Sequence, residues 1–202
     1  MDRRGPLTPA GLAAQVLADR VLADRVLADR VLAAAPRLGG TRLVCVDGPA
    51  GSGKTTLAAR LAGALGGDTA VVHMDDLYAG WTLTGAVARL SAGVLRPVAA
   101  GRDGAYSRYD WTAGRFSPAP VPVPVPGVLV VEGCGSGSRA VDPWASLRIW
   151  VEADPALRLA RGLARDGDHL APEWHRWQET EAAHFAADGT RERADVVVDG
   201  GA

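Results

Sequence analysis

The chain has 202 residues, 48% of them apolar, and a formal net charge of −1 at pH 7. This size and composition predict one domain, or one domain with an arm, that buries a substantial core. The charge disfavours non-specific binding to nucleic acid or to a membrane surface, and two cysteines are too few for a disulfide framework. There is no apolar run of transmembrane length and no signal-peptide pattern, so we expect a cytoplasmic protein.

The first 40 residues carry a short repeat. The sequence VLADR at residues 16–20 recurs at 21–25 and 26–30. Its residues favour a helix, but a five-residue period rotates each apolar pair by about 140°, so no continuous apolar stripe forms. We therefore predict a helical arm over residues 1–40, dispensable for catalysis, and a main domain over residues 41–202. Pairing of the arm with a partner, or of two copies in a homodimer, stays open.

The main domain alternates apolar runs with helical patterns. This alternation predicts an α/β fold of the P-loop NTPase type, with a five-stranded parallel sheet and helices on both faces. Residues 117–126 have proline at every second position, which predicts a polyproline-like loop and excludes a central strand. The predicted strands are 43–47, 70–74, 128–131, 147–151 and 196–198, and the predicted helices are 54–65, 83–95, 155–165 (capped by Asp154) and 173–187.

Lys54 is the only lysine of the chain. It lies in GPAGSGKT at residues 48–55, which matches the P-loop pattern G-x-x-x-x-G-K-[ST] between a predicted strand and a predicted helix. Backbone amides of residues 50–55 would hold phosphates, Lys54 would reach the β- and γ-phosphates, and Thr55 would ligate magnesium. We therefore predict a site for ATP or GTP with Mg²⁺, formed by Gly48, Ala50, Gly51, Ser52, Gly53, Lys54, Thr55 and Thr56.

Carboxylates follow three of the predicted strands, where ligands of parallel sheets bind. Asp47 precedes the P-loop and either caps its turn or acts in catalysis. Asp75 and Asp76 follow the second strand, where one of them either accepts a proton from an acceptor hydroxyl or caps the next segment. Glu132 ends the third strand and either holds a magnesium-bound water or forms a salt bridge.

One predicted helix carries three arginines at spacings of three and four residues, so Arg158, Arg161 and Arg165 share a face. That face is either solvated or stabilises charge on a transferring phosphoryl group. Large rings are also frequent, and some of them must be core. Tyr78 and the cluster Tyr109, Asp110 and Trp111 are the candidates for a substrate wall, whereas Trp144, Trp150, Trp174, Trp177 and Tyr106 are left without a role.

These motifs, taken in order, resemble the uridine kinase/phosphoribulokinase branch of P-loop small-molecule kinases. The matching segments are the P-loop, DDLY at 75–78, YDW at 109–111, VVEG at 130–133, residues 149–166 and RADVVV at 193–198. The resemblance implies that Asp75 is the catalytic base, that Thr55 and Glu132 organise magnesium, and that Arg161 and Arg165 close over the transferred phosphate. It also implies substrate contacts from Asp75, Tyr78, Tyr109, Asp110 and Trp111.

The resulting prediction is an ATP- and Mg²⁺-dependent kinase that phosphorylates a hydroxyl of a small molecule, nucleoside-like by resemblance. The family's His-Pro-Asp segment, which grips the ribose, is not visible between Tyr78 and Tyr106, so the acceptor stays open. One alternative is a nucleoside monophosphate kinase, which needs arginines in the acceptor pocket. A second alternative is a nucleotide-dependent switch or ATPase that uses the arm as its partner surface. The arginines available to a monophosphate pocket are Arg89, Arg96, Arg102 and Arg108.

Overall fold

The structure is a computed structural model that describes residues 9–201, with side chains described from residue 20 onward. Residues 1–8 of the predicted arm lie outside the described residues. A π-helical turn, Ser91–Leu95, joins the third and fourth helices. The helices are α1 (Pro9–Ala33), α2 (Lys54–Leu65), α3 (Ala86–Leu90), α4 (Arg96–Ala99), α5 (Pro155–Asp166) and α6 (Ala171–Asp188), and the strands are β1 (Arg42–Asp47), β2 (Thr69–His73), β3 (Gly104–Asp110), β4 (Arg115–Val123), β5 (Val128–Glu132), β6 (Ala145–Glu152) and β7 (Val196–Asp199).

The main sheet has five parallel strands in the order β2-β5-β1-β6-β7. Its central strands are apolar on both faces because both faces are covered. Leu43 and Cys45 of β1 belong to one core cluster, whereas Val44 and Val46 belong to a second cluster that includes α2. This confirms the predicted α/β fold with a five-stranded parallel sheet flanked by helices.

Most predicted elements are present, with small shifts at their ends. The helix after the P-loop spans the predicted residues 54–65. Asp154 caps α5 as predicted, since its Oδ1 accepts hydrogen bonds from the amides of Ala156 and Leu157 at 2.8 and 3.2 Å. The helix predicted at 83–95 begins at Ala86 and continues through the π-helical turn to Ala99.

The proline-rich segment differs from the prediction. Residues 117–123 of the predicted polyproline-like loop lie in the strand β4, which pairs antiparallel with β3 in a separate two-stranded sheet, whereas residues 124–126 lie outside any strand. A two-stranded sheet needs only alternate amides of each strand. Prolines at every second position therefore fall where the missing N–H would point away from β3. The exclusion of a central strand holds, because β4 is an edge strand.

The C-terminal turns of α1 pack onto the main domain. Leu27, Ala28 and Val31 are buried in the same core cluster as α2, and Arg60 of α2 forms an ion pair with Asp24 at 3.0 Å. The domain boundary at residues 40/41 stays a prediction, although the end of the arm shares the core of the domain. None of the described helices is long and apolar enough to cross a membrane.

Candidate active site

A cavity of about 690 Å³ lies at the carboxyl ends of β1, β2 and β5, which are neighbours in the sheet. The P-loop follows β1, Asp75 lies two residues beyond β2, and Glu132 is the last residue of β5. The sheet order thus brings together motifs that are far apart in the sequence. Of the predicted site residues, the cavity is lined by Ala50, Gly51, Gly53, Lys54, Thr55, Thr56, Asp75, Tyr78, Trp111, Glu132, Arg161 and Arg165.

Glycines give the P-loop its shape. Gly51 and Gly53 adopt φ angles of 78° and 99°, a region that L side chains rarely occupy. A Cβ atom on Gly51 would also collide with the carbonyl oxygen of Arg158, because α5 lies against the loop. Gly48 and Ser52 do not line the cavity. The loop therefore depends on glycine for both its turn and its close contact with α5.

Two amides of the P-loop are already bonded. The Ala50 amide donates to Glu181 Oε2 at 2.8 Å, and the Ser52 amide donates to the Pro49 carbonyl at 3.2 Å. The Ala50 and Ser52 amides are therefore bonded inside the protein, and the predicted phosphate contacts of residues 50–55 stay a prediction. The first amides of α2, from Lys54 onward, have no partner inside the helix by its geometry, so they remain available to an anion.

Lys54 lies at the start of α2 and is 8% exposed. Its Nζ donates a hydrogen bond to the Pro49 carbonyl at 2.8 Å, so the side chain lies along the P-loop. A single backbone carbonyl leaves two of the three ammonium donors for a bound phosphate. The predicted phosphate contact of Lys54 is consistent with this position.

Oxygen donors suited to magnesium meet beside Lys54. Thr55 Oγ1 donates to Glu132 Oε1 at 3.2 Å, and the His73 Nδ1 lies 2.6 Å from the same oxygen. The hydrogen bond to Glu132 raises the pKa of His73. Among the residues whose side chains are described, no three His, Cys, Asp or Glu converge on a metal site. A hydroxyl and one carboxylate fit Mg²⁺, which keeps several waters and is shared with substrate phosphates.

The neighbours Asp75 and Asp76 have different surroundings. Asp75 lines the cavity, and its side chain is exposed there. The surrounding protein raises the pKa of this carboxyl group, mainly by desolvation and secondly by the negative charge of Glu132. Asp76 is 8% exposed and accepts hydrogen bonds from Tyr106 Oη at 2.9 Å and Arg108 Nε at 2.8 Å. Only Asp75 can reach a ligand in the cavity, whereas Asp76 holds β3 against the loop after β2.

Asp47 has a structural environment. Its carboxylate is buried and accepts hydrogen bonds from the amides of Gly48, Gly135 and Gly137 at 2.7, 3.1 and 2.8 Å. It therefore caps the turn into the P-loop and also fixes the loop after β5. This favours the capping interpretation over a catalytic role.

The arginine face of α5 points at the P-loop and the cavity. Arg161 Nη1 donates to the carbonyls of Gly51 and Gly200 at 3.4 and 2.9 Å. Arg165 lines the cavity and pairs with Asp166 at 2.7 Å. Arg158 does not line the cavity but pairs with the buried Glu181 at 3.0 Å. The three arginines thus hold the P-loop and the cavity wall and do not form a merely solvated face.

An aromatic wall, formed by Tyr78, Trp81, Trp111, Trp174 and Trp177, closes one side of the cavity. The Trp81 ring centroid lies 5.8, 6.0 and 6.1 Å from those of Trp111, Trp174 and Trp177, with the rings edge to face. Only Tyr78 and Trp111 of this wall were proposed as substrate contacts from the sequence.

Tyr109 and Asp110 do not line the cavity, so their predicted substrate contacts are not supported. Asp110 Oδ1 accepts from the amides of Thr112 and Ala113 at 3.0 and 2.9 Å and thereby caps the hairpin turn between β3 and β4. Tyr109 packs behind the wall, 5.4 Å from the Trp111 ring. Their side chains shape the hairpin that carries Trp111.

Sequence reasoning missed Trp81, Glu181 and Asp166. Trp81 follows the DDLY segment by three residues, and this closeness could have signalled its place beside Asp75. Glu181 is separated from Ala50 by 131 residues, and no local pattern indicates that contact. Asp166 ends the arginine-bearing helix and accepts from Trp174 Nε1 at 3.1 Å.

The four arginines considered for a monophosphate acceptor are not in the cavity lining. Arg108 is paired with Asp76 at 2.8 Å. Arg89 donates to the Leu77 carbonyl at 2.7 Å and lies over the Phe116 ring. None of the four arginines predicted for a monophosphate pocket therefore lines this cavity, whose arginines are Arg161 and Arg165.

No protein-family model matches the chain, and no curated protein matches its sequence. Solved structures do match its fold. A possible uridine kinase from Bacillus stearothermophilus superposes with a TM-score of 0.65 at 24% identity, over 91% of this chain and 99% of that one. A candidate fructose transport system kinase from Silicibacter gives a TM-score of 0.63 at 24% identity, over 87% and 98%. The chain therefore has the fold of P-loop kinases, which confirms the resemblance at the level of fold.

Proposed function

We propose that this protein is an ATP- and Mg²⁺-dependent kinase that transfers a phosphoryl group to a hydroxyl of a small molecule. The observation that carries the proposal is the convergence, on one cavity, of a P-loop with its lysine, an oxygen pair suited to magnesium, and a free carboxylate. Lys54, the Thr55–Glu132 pair and Asp75 all line that cavity. Kinases of this fold need each of these parts.

In the proposed reaction, Lys54 and the amides at the start of α2 hold the β- and γ-phosphates of ATP. Thr55 and Glu132 hold magnesium, which when bound neutralises charge on these phosphates. Asp75 accepts the proton of the acceptor hydroxyl as the hydroxyl oxygen bonds to the γ-phosphorus. The bond from that phosphorus to the β–γ bridging oxygen breaks, and ADP leaves. A carboxylate with a raised pKa suits this proton transfer.

Arg161 and Arg165 lie where they can compensate charge on the transferring group. Both line the cavity, and Arg165 interacts electrostatically with Asp75 and Glu132. Cationic donors near a transferring phosphoryl group stabilise its transition state. Their closure over the phosphate, implied by the resemblance, is part of this proposal.

ADP release tests the proposal. Purified protein with ATP and Mg²⁺ should release ADP slowly alone and faster with an acceptor from a panel of nucleosides, sugars, monophosphates and neutral alcohols. Lys54→Ala should abolish acceptor-dependent release and keep the fold, since its charge acts on phosphates and not in the core. Arg60→Ala, an exposed position on the same helix, is the matched control. Wild-type turnover by Lys54→Ala, or hydrolysis that no acceptor stimulates, would contradict the kinase proposal, and the second result would favour a switch or ATPase.

A further inference from the structure

The exposed part of the aromatic wall has no partner within the described residues. Trp81 and Trp111 are 36% and 46% exposed, whereas Trp174 and Trp177 behind them are buried. Two adjacent indole rings that expose this much surface at one cavity indicate a binding site for an apolar group of a ligand. The two exposed rings lie 5.8 Å apart, edge to face, and form a corner.

Four of the five polar side-chain atoms of the wall are already used inside the protein. Tyr78 Oη donates to the Cys134 carbonyl at 2.8 Å, and Trp111 Nε1 donates to the Asp75 carbonyl at 3.2 Å. Trp174 Nε1 and Trp177 Nε1 donate to carboxylates of Asp166 and Glu181 at 3.1 and 3.0 Å. The wall therefore presents carbon surface to a ligand, with few donors for sugar hydroxyls or for the edge of a nucleobase.

The charges near the wall disfavour an anion. Asp75 lines the cavity and is bonded through its carbonyl to Trp111. The nearby Arg165 is already paired with Asp166. A carboxylate or phosphate on the acceptor would meet the charge of Asp75, while the cations that line the cavity, Lys54, Arg161 and Arg165, act in the proposed reaction on the phosphates of the nucleotide.

The link between Trp111 and Asp75 also sets a distance. The indole lies beside Asp75 because its Nε1 donates to the backbone carbonyl of that residue, and the Asp75 carboxylate lines the same cavity. A ligand that covers the corner of Trp81 and Trp111 while its hydroxyl meets Asp75 therefore carries that hydroxyl within a few bonds of its apolar body.

We propose that the phosphoryl acceptor is a neutral alcohol whose hydroxyl lies on a short arm of an apolar or aromatic ring, and that Trp81 and Trp111 bind this ring. The inference rests on the proposed kinase activity and narrows its substrate class. It departs from a nucleoside or a sugar, whose recognition needs more hydrogen bonds than the few donors of the wall provide.

The test compares matched acceptors by their kcat/KM for ADP release. The neutral ring alcohols are 2-phenylethanol and 2-naphthylmethanol. The charged ring alcohols are 4-(hydroxymethyl)benzoate and 4-(aminomethyl)benzyl alcohol. The polar acceptors are uridine, cytidine and fructose. We expect the neutral ring alcohols to exceed every other acceptor by at least about tenfold, which corresponds to one edge-to-face ring contact or more. A preference for a charged, nucleoside or sugar acceptor would overturn the inference and leave the kinase proposal standing.

Variants give a second readout. Trp81→Ala should raise KM for 2-phenylethanol about tenfold with little change in kcat or in ATP affinity, and Trp81→Phe should restore most of the loss. Trp150→Phe is the control, because Trp150 packs on Phe185 outside the cavity lining. If Trp81→Ala weakens ATP binding instead, the corner binds the base of the nucleotide and the inference is wrong. Failure of every acceptor, with ATP binding intact, would instead refute the kinase proposal and this inference with it.

Discussion

Glu181 of α6 accepts a hydrogen bond from the Ala50 amide of the P-loop at 2.8 Å. The same carboxylate accepts from Trp177 Nε1 at 3.0 Å and from Arg158 Nη1 at 3.0 Å. One buried side chain thus joins the nucleotide loop, the aromatic wall and the arginine-bearing helix. A substitution of Glu181 should therefore change both the stability of the fold and the binding of the nucleotide.

We expect Glu181→Gln to lower the free energy of unfolding by about 3 kcal/mol, because it leaves the guanidinium of Arg158 without its buried partner. ATP should also bind more weakly, since the neutral amide holds the Ala50 amide less firmly. Urea unfolding and ATP titration measure the two effects. Glu173→Gln on the same helix is the matched control, because its pair with Arg176 is exposed and worth at most about 1 kcal/mol. Equal effects of the two substitutions would contradict the role given to Glu181.

Asp75 and Asp76 should separate in a mutational test. Asp75→Asn should keep ATP affinity within a few-fold and lose acceptor-dependent ADP release by about 10²–10⁴, the usual effect of removing a general base. Asp76→Asn should act mainly on stability, because its carboxylate is buried against Tyr106 and Arg108. Full acceptor-dependent activity in Asp75→Asn would refute its assignment as the base.

The parallel sheet could be predicted from sequence because its strands are continuous apolar runs, such as residues 128–131, that end at carboxylates or glycines. The P-loop and Asp75 could be predicted because short sequence motifs identify them. The β3–β4 hairpin was missed because proline disfavours strands. The spacing of the prolines at every second residue indicates an edge strand only when the partner strand is known. Glu181 was missed because its role depends on tertiary contacts that no local pattern indicates, whereas Trp81 was missed although it lies only three residues after the DDLY segment.

The raised pKa of Asp75 predicts a pH dependence of catalysis. The base acts only when deprotonated, so kcat/KM should fall as pH falls, with an apparent pKa above the ordinary aspartate value of 3.8. The contribution of Asp75 to the stability of the fold changes with pH in the opposite direction to kcat/KM. A raised folded-state pKa favours the protonated folded state, so this group contributes stability at low pH that is lost as pH rises through the folded pKa.

His73 is a second titratable group beside the proposed magnesium ligands, and its hydrogen bond to Glu132 raises its pKa. The variant His73→Gln removes this titration while it retains a donor toward Glu132. We expect the acidic limb of the kcat/KM profile to keep its apparent pKa in His73→Gln. If the limb disappears in that variant, the titration belongs to His73 and the assignment to Asp75 fails.

The C-terminal part of the arm contacts the main domain, so deletions of residues 1–19 and of residues 1–35 should have different effects. The repeat predicts that residues 1–35 are dispensable for catalysis, and the structure adds that they contribute to stability, because Leu27, Ala28 and Val31 are buried with α2 and Arg30 donates to the Asp195 carbonyl at 2.9 Å. Deletion of residues 1–35 should therefore lower the free energy of unfolding by roughly 3–6 kcal/mol, the value of burying two large aliphatic side chains. Deletion of residues 1–19 removes none of these contacts. It should leave the equilibrium constant of unfolding and the turnover each within about twofold of wild type. Turnover measured well below the melting temperature separates folding from catalysis. A loss beyond tenfold in the shorter deletion, with the protein still folded, would show that the arm contributes to the site or to an assembly that the site requires.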